Sequence, residues 1–335
     1  MNLIGKFPKT RLRRVRNKDW IRRLISENNL STNDLILPIF IREGKNQKET
    51  IKSMPGVYRY TLDKLNTVVD EALKLNIPMI ALFPYTAKNK KDALGSEAFN
   101  KNSLVSRALQ IIKKRERNIG VMCDVALDPY TSHGHDGVIR NNDIDNDETL
   151  KILVKQSLLY AQMGCDVLSP SDMMDGRIGL IRKELELKNF KNTKILSYAV
   201  KYASSFYGPF RNAVGSTKSL KGNKKTYQMD FRNSNEAMRE VALDIKEGAD
   251  MVMVKPGMPY LDIISKIKDN FKIPVFSYQV SGEFSMIKNA IKNNILNENS
   301  IIESLICLKR AGSTAVVSYF ALEVARKIKQ NNFLK

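Results

Sequence analysis

The chain has 335 residues, of which 43% are hydrophobic and 27% charged, a composition that excludes intrinsic disorder and predicts a folded core. Its net charge of +20 comes from 55 basic and 35 acidic side chains, but the lysines are spread along the whole sequence, so we expect a solvated basic surface and no nucleic-acid partner. The three cysteines lie far apart, which argues against a disulfide framework and fits a reducing, cytoplasmic compartment, and we see neither a secretory signal nor a membrane-spanning run.

Residues 1–33 differ from the rest of the chain and predict an extended N-terminal arm. A basic run, PKTRLRRVR at 8–16, is followed by a short amphipathic piece at 19–28. We expect the arm to pack on a neighbouring subunit, the alternatives being a frayed terminus and a nucleic-acid contact. The apolar positions with helical spacing are Trp20, Ile21, Leu24 and Ile25.

Residues 34–335 predict one catalytic domain, because short apolar runs alternate there with amphipathic helical patterns. The runs are continuously apolar, as in strands buried on both faces. Eight strand–helix units in a chain of this length predict an α/β fold, a closed (β/α)8 TIM barrel. A doubly wound open sheet is less well supported, since no glycine-rich phosphate turn follows the first run. The runs span 35–41, 78–84, 119–127, 166–171, 194–200, 250–256, 274–280 and 314–320, and the clearest helices span 62–76, 103–116, 147–164 and 236–248.

Two lysines follow apolar runs directly, at the end of the predicted barrel where this fold places its chemistry. Lys201 follows ILSYAV, and Lys255 follows MVMV. A desolvated lysine, or one beside another cation, has a lowered pKa, and its neutral amine can then attack a ketone. A lone lysine at such a position is more commonly solvated or ion-paired. A pair on adjacent strands, each lowering the pKa of the other, favours Schiff-base chemistry without excluding that alternative.

The segment CDVALDPYTSHGHDG at 123–137 concentrates acidic side chains and contains both histidines, His133 and His135. Oxygen ligands from Asp128 and Asp136 would suit Mg²⁺ better than Zn²⁺. The alternative is a polar loop whose carboxylates cap helices or pair with lysines, and the residues alone do not decide between the two.

The stretch 204–232 is too long and polar for a plain strand–helix connection, which predicts an active-site lid. Two of its cations, Arg211 and Lys224, could bind a carboxylate, Arg211 as a bidentate fork. The alternative for each is ordinary surface charge.

At these residues the sequence resembles the 5-aminolevulinate dehydratase (porphobilinogen synthase) family over nearly its whole length. That family joins two molecules of 5-aminolevulinate into porphobilinogen with loss of two waters, in tetrapyrrole biosynthesis. The motifs that carry the resemblance include DVALDPYTSHGHDG, SPSDMMDGR, KYASSFYGPFR, GNKKTYQMD, MVMVKPGMPYLD and YQVSGEF.

The resemblance implies a role for each candidate residue. Lys255 would form the Schiff base with the substrate that supplies the propionate arm (the P side), and Lys201 would hold the other substrate (the A side) as a second Schiff base or as a nearby cation. Asp124 would orient an amine or relay a proton. The carboxylates would be bound by Arg211, Lys224 and Gln228 on the A side and by Ser281 and Tyr319 on the P side.

The metal pattern departs from the family's zinc form. The three cysteine positions of zinc-using members read Ala126, Asp128 and Asp136, so a three-thiolate zinc site is absent. The aspartate form resembles the magnesium-responsive branch, with an allosteric Mg²⁺ implied at Glu240 and held mainly through waters; whether a metal sits at Asp128 and Asp136 stays open. The resemblance also implies a homo-octamer whose arms wrap neighbouring barrels.

Two other functions compete with this interpretation. A class I aldolase also needs one Schiff-base lysine, but it does not explain the pair Lys201 and Lys255 together with Arg211. A nucleic-acid-binding protein would account for the net charge, but it predicts basic residues clustered with aromatics on one face.

Overall fold

The computed structural model describes residues 5–115, 118–215, 220 and 222–330. Its centre is a sheet of eight parallel strands that neighbour one another in chain order. Leu35 and Ile36 of the first strand pair with Val316 and Val317 of the last, which closes the sheet into a barrel. The strands are β1 Leu35–Arg42, β2 Met79–Tyr85, β3 Gly120–Val125, β4 Val167–Pro170, β5 Lys194–Lys201, β6 Met251–Lys255, β7 Val275–Gln279 and β8 Ala315–Ser318.

Each barrel strand is followed by at least one helix that packs outside the sheet, so the predicted (β/α)8 TIM barrel is confirmed. The strands are apolar throughout because both of their faces are covered: every residue of β1 except Arg42 is buried. The barrel helices are α2 Leu62–Lys74, α3 Leu104–Lys113, α4 Asn146–Gln162, α5 Arg177–Leu187, α6 Gly208–Val214, α7 Asn235–Lys246, α8 Leu261–Asn270, α9 Ser281–Lys292, α10 Asn299–Arg310 and α11 Ala321–Lys329, and α1 Asp19–Leu24 lies in the arm.

Four short strands lie outside the barrel. Tyr58–Thr61 pairs in parallel with β1 and antiparallel with Lys48–Thr50. Val138–Arg140 and Asp143–Asp145 form a separate hairpin that leads into α4. These additions extend the strand-to-helix connections after β1 and β3, while the closed barrel is unchanged.

The helix ends follow local sequence signals. Ser103 caps α3, its hydroxyl accepting a hydrogen bond from the backbone N–H of Ser106. The α7 helix ends at Lys246, and Gly248 follows with a φ of +105°, the left-handed conformation expected of a glycine after a helix. The predicted helix boundaries are therefore correct to within three residues.

Large apolar side chains of the arm are exposed and are not buried against the barrel of the same chain. Leu12, Trp20 and Leu24 are respectively 70%, 58% and 73% exposed. The predicted amphipathic piece at 19–28 is a helix only over Asp19–Leu24. None of the described helices is long and apolar enough to cross a bilayer.

The predicted lid at 204–232 is more regular than a loop. It begins with a 3-10 helix, Ser205–Tyr207, continues into α6 and reaches Gly215 in a left-handed conformation. Residues 216–219 and 221 of this stretch lie outside the described residues. The part that carries Arg211 is thus held on a helix.

Candidate active site

Lys201 and Lys255 are the last residues of β5 and β6, and they are paired directly in the register of the two strands. Both are 6% exposed. Because parallel strands end at the same rim of a barrel, the pairing places two buried amines side by side at the rim where this fold holds its active sites. The sequence prediction of neighbouring lysines is confirmed.

The amine of Lys255 is surrounded by aromatic rings. Within the part of the chain that the structure describes, its Nζ atom makes no ion pair or hydrogen bond. Instead it lies over four aromatic rings, 4.7 to 5.5 Å from their centroids. Burial, and then the nearby charge of Lys201, lower the pKa of Lys255 to about 7. The rings belong to Tyr198, Tyr207, Phe210 and Tyr278.

Lys201, by contrast, is paired. Its Nζ donates to Asp136 Oδ1 at 3.2 Å and to the carbonyl oxygen of Ser171. The two neighbouring amines therefore differ: Lys201 is a cation held by a carboxylate, and Lys255 is the one prepared to lose its proton.

Asp136 joins Lys201 to the lid. It is fully buried, and its Oδ2 lies 2.6 Å from Lys224 Nζ and accepts a hydrogen bond from Tyr227 Oη at 2.9 Å. Burial alone would raise the pKa of Asp136, but Lys201 and Lys224 outweigh it and hold that pKa well below the usual range. Lys224 also lies 3.4 Å from Asp128 Oδ2. Asp128 and Asp136, the two acids that could have bound a metal, are therefore ion-paired with lysines instead: Asp128 with Lys224, and Asp136 with both Lys201 and Lys224.

Asp124 stands near both strand-end lysines. Its Oδ1 atom is buried and has no hydrogen-bond partner among the described residues. Burial raises the pKa of Asp124 to about 6, although Lys255 and Lys201 oppose the rise. A carboxyl group of this kind can accept and return a proton near neutral pH.

The predicted carboxylate-binding residues fall into two groups. Arg211, Lys224 and Gln228 line one small cavity of about 30 Å³ with Asp124 and both strand-end lysines. Ser281 and Tyr319 do not line that cavity, but each contacts a residue whose ring surrounds Lys255. Ser281 Oγ accepts a hydrogen bond from the N–H of Phe210 at 2.9 Å, and Tyr319 Oη is 2.8 Å from Tyr278 Oη.

Sequence reasoning missed the aromatic rings around Lys255 and the carbonyl of Ser171. Tyr207 and Phe210 stand in SSFYGPF, and Tyr198 lies three residues before Lys201. Each occurs inside a segment already identified as functional, so aromatic density near the lysines was the signal that could have found them. Nothing in the pattern shows that Ser171 points a carbonyl at Lys201.

The histidines do not form a metal site. His133 Nε2 lies 3.2 Å from the carbonyl oxygen of Ala93, and His135 Nδ1 lies 3.0 Å from Tyr227 Oη. Across the described residues no three His, Cys, Asp or Glu side chains are grouped to hold a metal. Asp128 and Asp136 provide two carboxylates, both already paired with Lys224, so this donor set does not fit a metal ion.

Glu240 is not part of this cluster. It lies on α7, half-buried, and lines a separate cavity of about 390 Å³. Burial raises the pKa of Glu240, with further raising contributions from Asp244, Asp175 and Glu236, and Arg177 opposes the rise. Tyr227 and Gln228 line this cavity as well, so the lid segment separates it from the strand-end lysines. Its other acidic lining residues are Asp143, Asp175, Asp230 and Glu236.

Comparisons with known proteins agree with one another. The family model for delta-aminolevulinic acid dehydratase matches residues 9–327. The chain is 54% identical to the delta-aminolevulinic acid dehydratase of Bradyrhizobium diazoefficiens, over 95% of this chain and 91% of the relative, and 50% identical to that of Methanothermus sociabilis, over 96% and 100%. The fold is similar to the crystal structure of the Toxoplasma gondii ME49 enzyme in complex with the reaction product porphobilinogen: TM-score 0.93, 42% identity, 95% of this chain and 91% of that one.

We expect the amine of Lys255 to become reactive through pH 7. Since its pKa is lowered to about 7, the neutral amine accumulates above that pH, whereas an ordinary lysine needs a pH of about 10. Competitive acetylation with acetic anhydride, read out by peptide mass spectrometry between pH 5 and 10, measures this directly. Lys201→Met should move the midpoint upward, because it removes a neighbouring cation and frees Asp136; Lys225→Met, an exposed lysine of the same lid, should not. A midpoint near 10 for Lys255 would contradict the account.

Proposed function

The chain belongs to the delta-aminolevulinic acid dehydratase family, and from that premise we propose that Lys255 and Lys201 catalyse its reaction through Schiff-base chemistry. The protein is a lyase that condenses two molecules of 5-aminolevulinate into porphobilinogen with loss of two waters, a step of porphyrin and heme biosynthesis. A class I aldolase activity is therefore not supported.

One observation carries the proposed mechanism: the amine of Lys255 is buried without a counter-ion, next to a second lysine. Its neutral form can attack the ketone carbon of 5-aminolevulinate, and the carbinolamine then loses water to give the imine. Loss of a proton from the carbon beside the imine gives an enamine, which forms the carbon–carbon bond. Asp124, with a pKa of about 6, is the group placed to accept and return that proton.

Lys201 has two roles open to it. It forms a second Schiff base with the A-side substrate once its ammonium group separates from Asp136 and gives up a proton, or it stays a cation that orients that substrate. Its ion pair with Asp136 supports the second role in the substrate-free enzyme. While Lys201 is a cation, its charge favours the neutral amine of Lys255.

The substrate carboxylates are bound by different chemistry on the two sides. Lys224 shares its charge with Asp128 and Asp136, so Arg211, without an ion pair among the described residues, is the better bidentate partner for the A-side carboxylate. Gln228 lies at the same cavity. On the P side, the hydroxyls of Ser281 and Tyr319 would bind the second carboxylate.

We expect the lid to move during the reaction. The cavity at the lysines is about 30 Å³, room for little more than one water molecule, so two substrates enter only if the stretch 204–232 opens. Closure then excludes water from the imine and holds the two acids in a reactive arrangement.

Kinetics of paired variants test the roles of the lysines. Lys255→Met should lower kcat for porphobilinogen formation by at least about 10⁴-fold, because no other neutral amine is available at that position. Lys201→Met should also lower kcat, whereas Lys292→Met, at the exposed end of α9 away from Ser281, leaves it unchanged. For all three variants, the rate of porphobilinogen formation is measured colorimetrically with an aldehyde reagent. A folded Lys255→Met enzyme with full activity would contradict the mechanism.

We also propose an allosteric Mg²⁺ in the cavity that Glu240 lines. The cavity is wide and is lined by five acidic side chains, which fits an ion held mainly through waters. Burial raises the pKa of Glu240 most, the neighbouring acids Asp244, Asp175 and Glu236 add to the rise, and a bound cation would relieve the repulsion from those acids. Tyr227, which lines the cavity and contacts Asp136, connects it to the active site.

The expected result is that Mg²⁺ stimulates EDTA-treated wild-type enzyme but not Glu240→Gln, while the activity of the two without metal is equal. Activity titrated against MgCl₂, with Glu303→Gln on the distant helix α10 as a control, measures this. Equal stimulation of wild type and Glu240→Gln would place the ion elsewhere.

We also propose that the enzyme assembles into an oligomer and lies in the cytoplasm. The exposed apolar residues of the arm at 1–33 support packing on a neighbouring subunit, as in the homo-octamer that the resemblance implies. The free thiols Cys123 and Cys165, both buried, fit a cytoplasmic enzyme.

A further inference from the structure

Glu283 is a buried acid that the mechanism above does not use. It lies in the first turn of α9, is 1% exposed, and has no ion pair among the described residues. Its two carboxylate oxygens accept three backbone hydrogen bonds: Oε2 from Val280 at 2.6 Å and from Gly257 at 3.4 Å, and Oε1 from Met258 at 2.7 Å.

These three donors belong to two different strand ends. Val280 follows β7 and precedes Ser281, while Gly257 and Met258 follow Lys255 after β6. A single carboxylate therefore joins the segment that carries the reactive amine to the segment that carries a proposed carboxylate-binding hydroxyl. The two segments together carry both ends of the proposed P-side substrate site, the amine of Lys255 and the hydroxyl of Ser281.

The same turn of α9 is where the lid rests. A Cβ atom on Gly282 would lie 2.4 Å from the carbonyl oxygen of Phe206, so the helix end and the lid pack without room for a side chain. The N–H of Phe210 donates to Ser281 Oγ. A displacement of this turn would thus disturb the lid as well as Ser281.

Burying an acid without a cation is costly. Burial raises the pKa of Glu283 to about 7 in spite of three backbone donors. A helix cap does not require such deep burial of the acid. Asp34, at the opposite end of the barrel, caps a turn by accepting a hydrogen bond from Ser31 N–H at 2.7 Å and is partly exposed. What Glu283 adds is the reach to the Lys255 segment.

We propose that Glu283 is a positioning residue that sets the separation between the Lys255 amine and the Ser281 hydroxyl, and thereby the chain length of the keto acid accepted on the P side. This inference rests on the roles proposed above for Lys255 and Ser281. It concerns a specificity determinant that touches neither substrate.

Two variants separate the cap from the cross-link. Glu283→Asp is one methylene shorter; like Asp34 it can still accept from its own N-cap N–H, but it no longer reaches both Gly257 and Met258. Glu283→Gln keeps the length but turns an NH₂ group toward a backbone donor. Asp34→Asn serves as the control, because it weakens a carboxylate cap at the opposite end of the barrel from Lys201 and Lys255, together with the ion pair of Asp34 to Lys309.

The probes are 4-oxopentanoate and its longer homologue 5-oxohexanoate, each trapped on the enzyme with borohydride and quantified on Lys255 by mass spectrometry. In wild type the shorter acid should be trapped at least about tenfold faster. In Glu283→Asp this preference should fall several-fold and the KM for 5-aminolevulinate should rise at least about fivefold, with the thermal midpoint little changed. Asp34→Asn should keep both the preference and the KM.

An unchanged preference and KM in folded Glu283→Asp would overturn the inference. So would a uniform loss in which activity follows the folded fraction of each variant, Asp34→Asn included. If Glu283→Gln does not fold, Glu283→Asp decides alone. Absence of any adduct on Lys255 in wild type would instead refute the proposed function on which the inference rests.

Discussion

The active site depends on how two buried lysines on adjacent strands share their charge. The positive charge of Lys201 is balanced by its ion pair with Asp136. Lys255 lies among aromatic rings and makes no ion pair among the described residues. The pair would be unstable as two free cations in so little water, so one must be compensated and the other must give up its proton. That asymmetry produces a neutral amine near pH 7 where a ketone can reach it. The lid and the acid residues are arranged around this requirement.

Asp128 and Asp136 hold that arrangement through ion pairs. Two carboxylates face two ammonium groups, Lys201 and Lys224, so the cluster is balanced without a further cation. Lys224 comes from the lid, and Tyr227 beside it also contacts Asp136. Closing the lid therefore completes the charge balance, which couples closure to the protonation of the lysines. The acidic cavity at Glu240 borders the same lid segment, on its far side.

Much of this could be predicted because it is local. Apolar runs on β5 and β6 end in lysines, and the barrel dictates that neighbouring strand ends meet, so the pair Lys201 and Lys255 followed from the pattern. The partners of each amine did not. Whether Asp136 pairs with a lysine or binds a metal depends on the lid's path, and the surroundings of Lys255 depend on four rings from three separate segments. The carboxylate of Glu283 accepts hydrogen bonds from the backbone N–H groups of Gly257 and Met258, which lie 26 and 25 positions earlier in the chain. Because these donors belong to the backbone, no side chain in the sequence indicates them.

Borohydride trapping with 5-aminolevulinate tests the central claim most directly. The enzyme is mixed with substrate, reduced within one turnover, digested, and every lysine is examined by mass spectrometry. The account predicts substrate mass on Lys255 at near one equivalent per chain, rising with pH through about 7, with Lys201 modified later or not at all. Folded, active enzyme that gives no adduct on Lys255, or one on Lys201 alone, would contradict it.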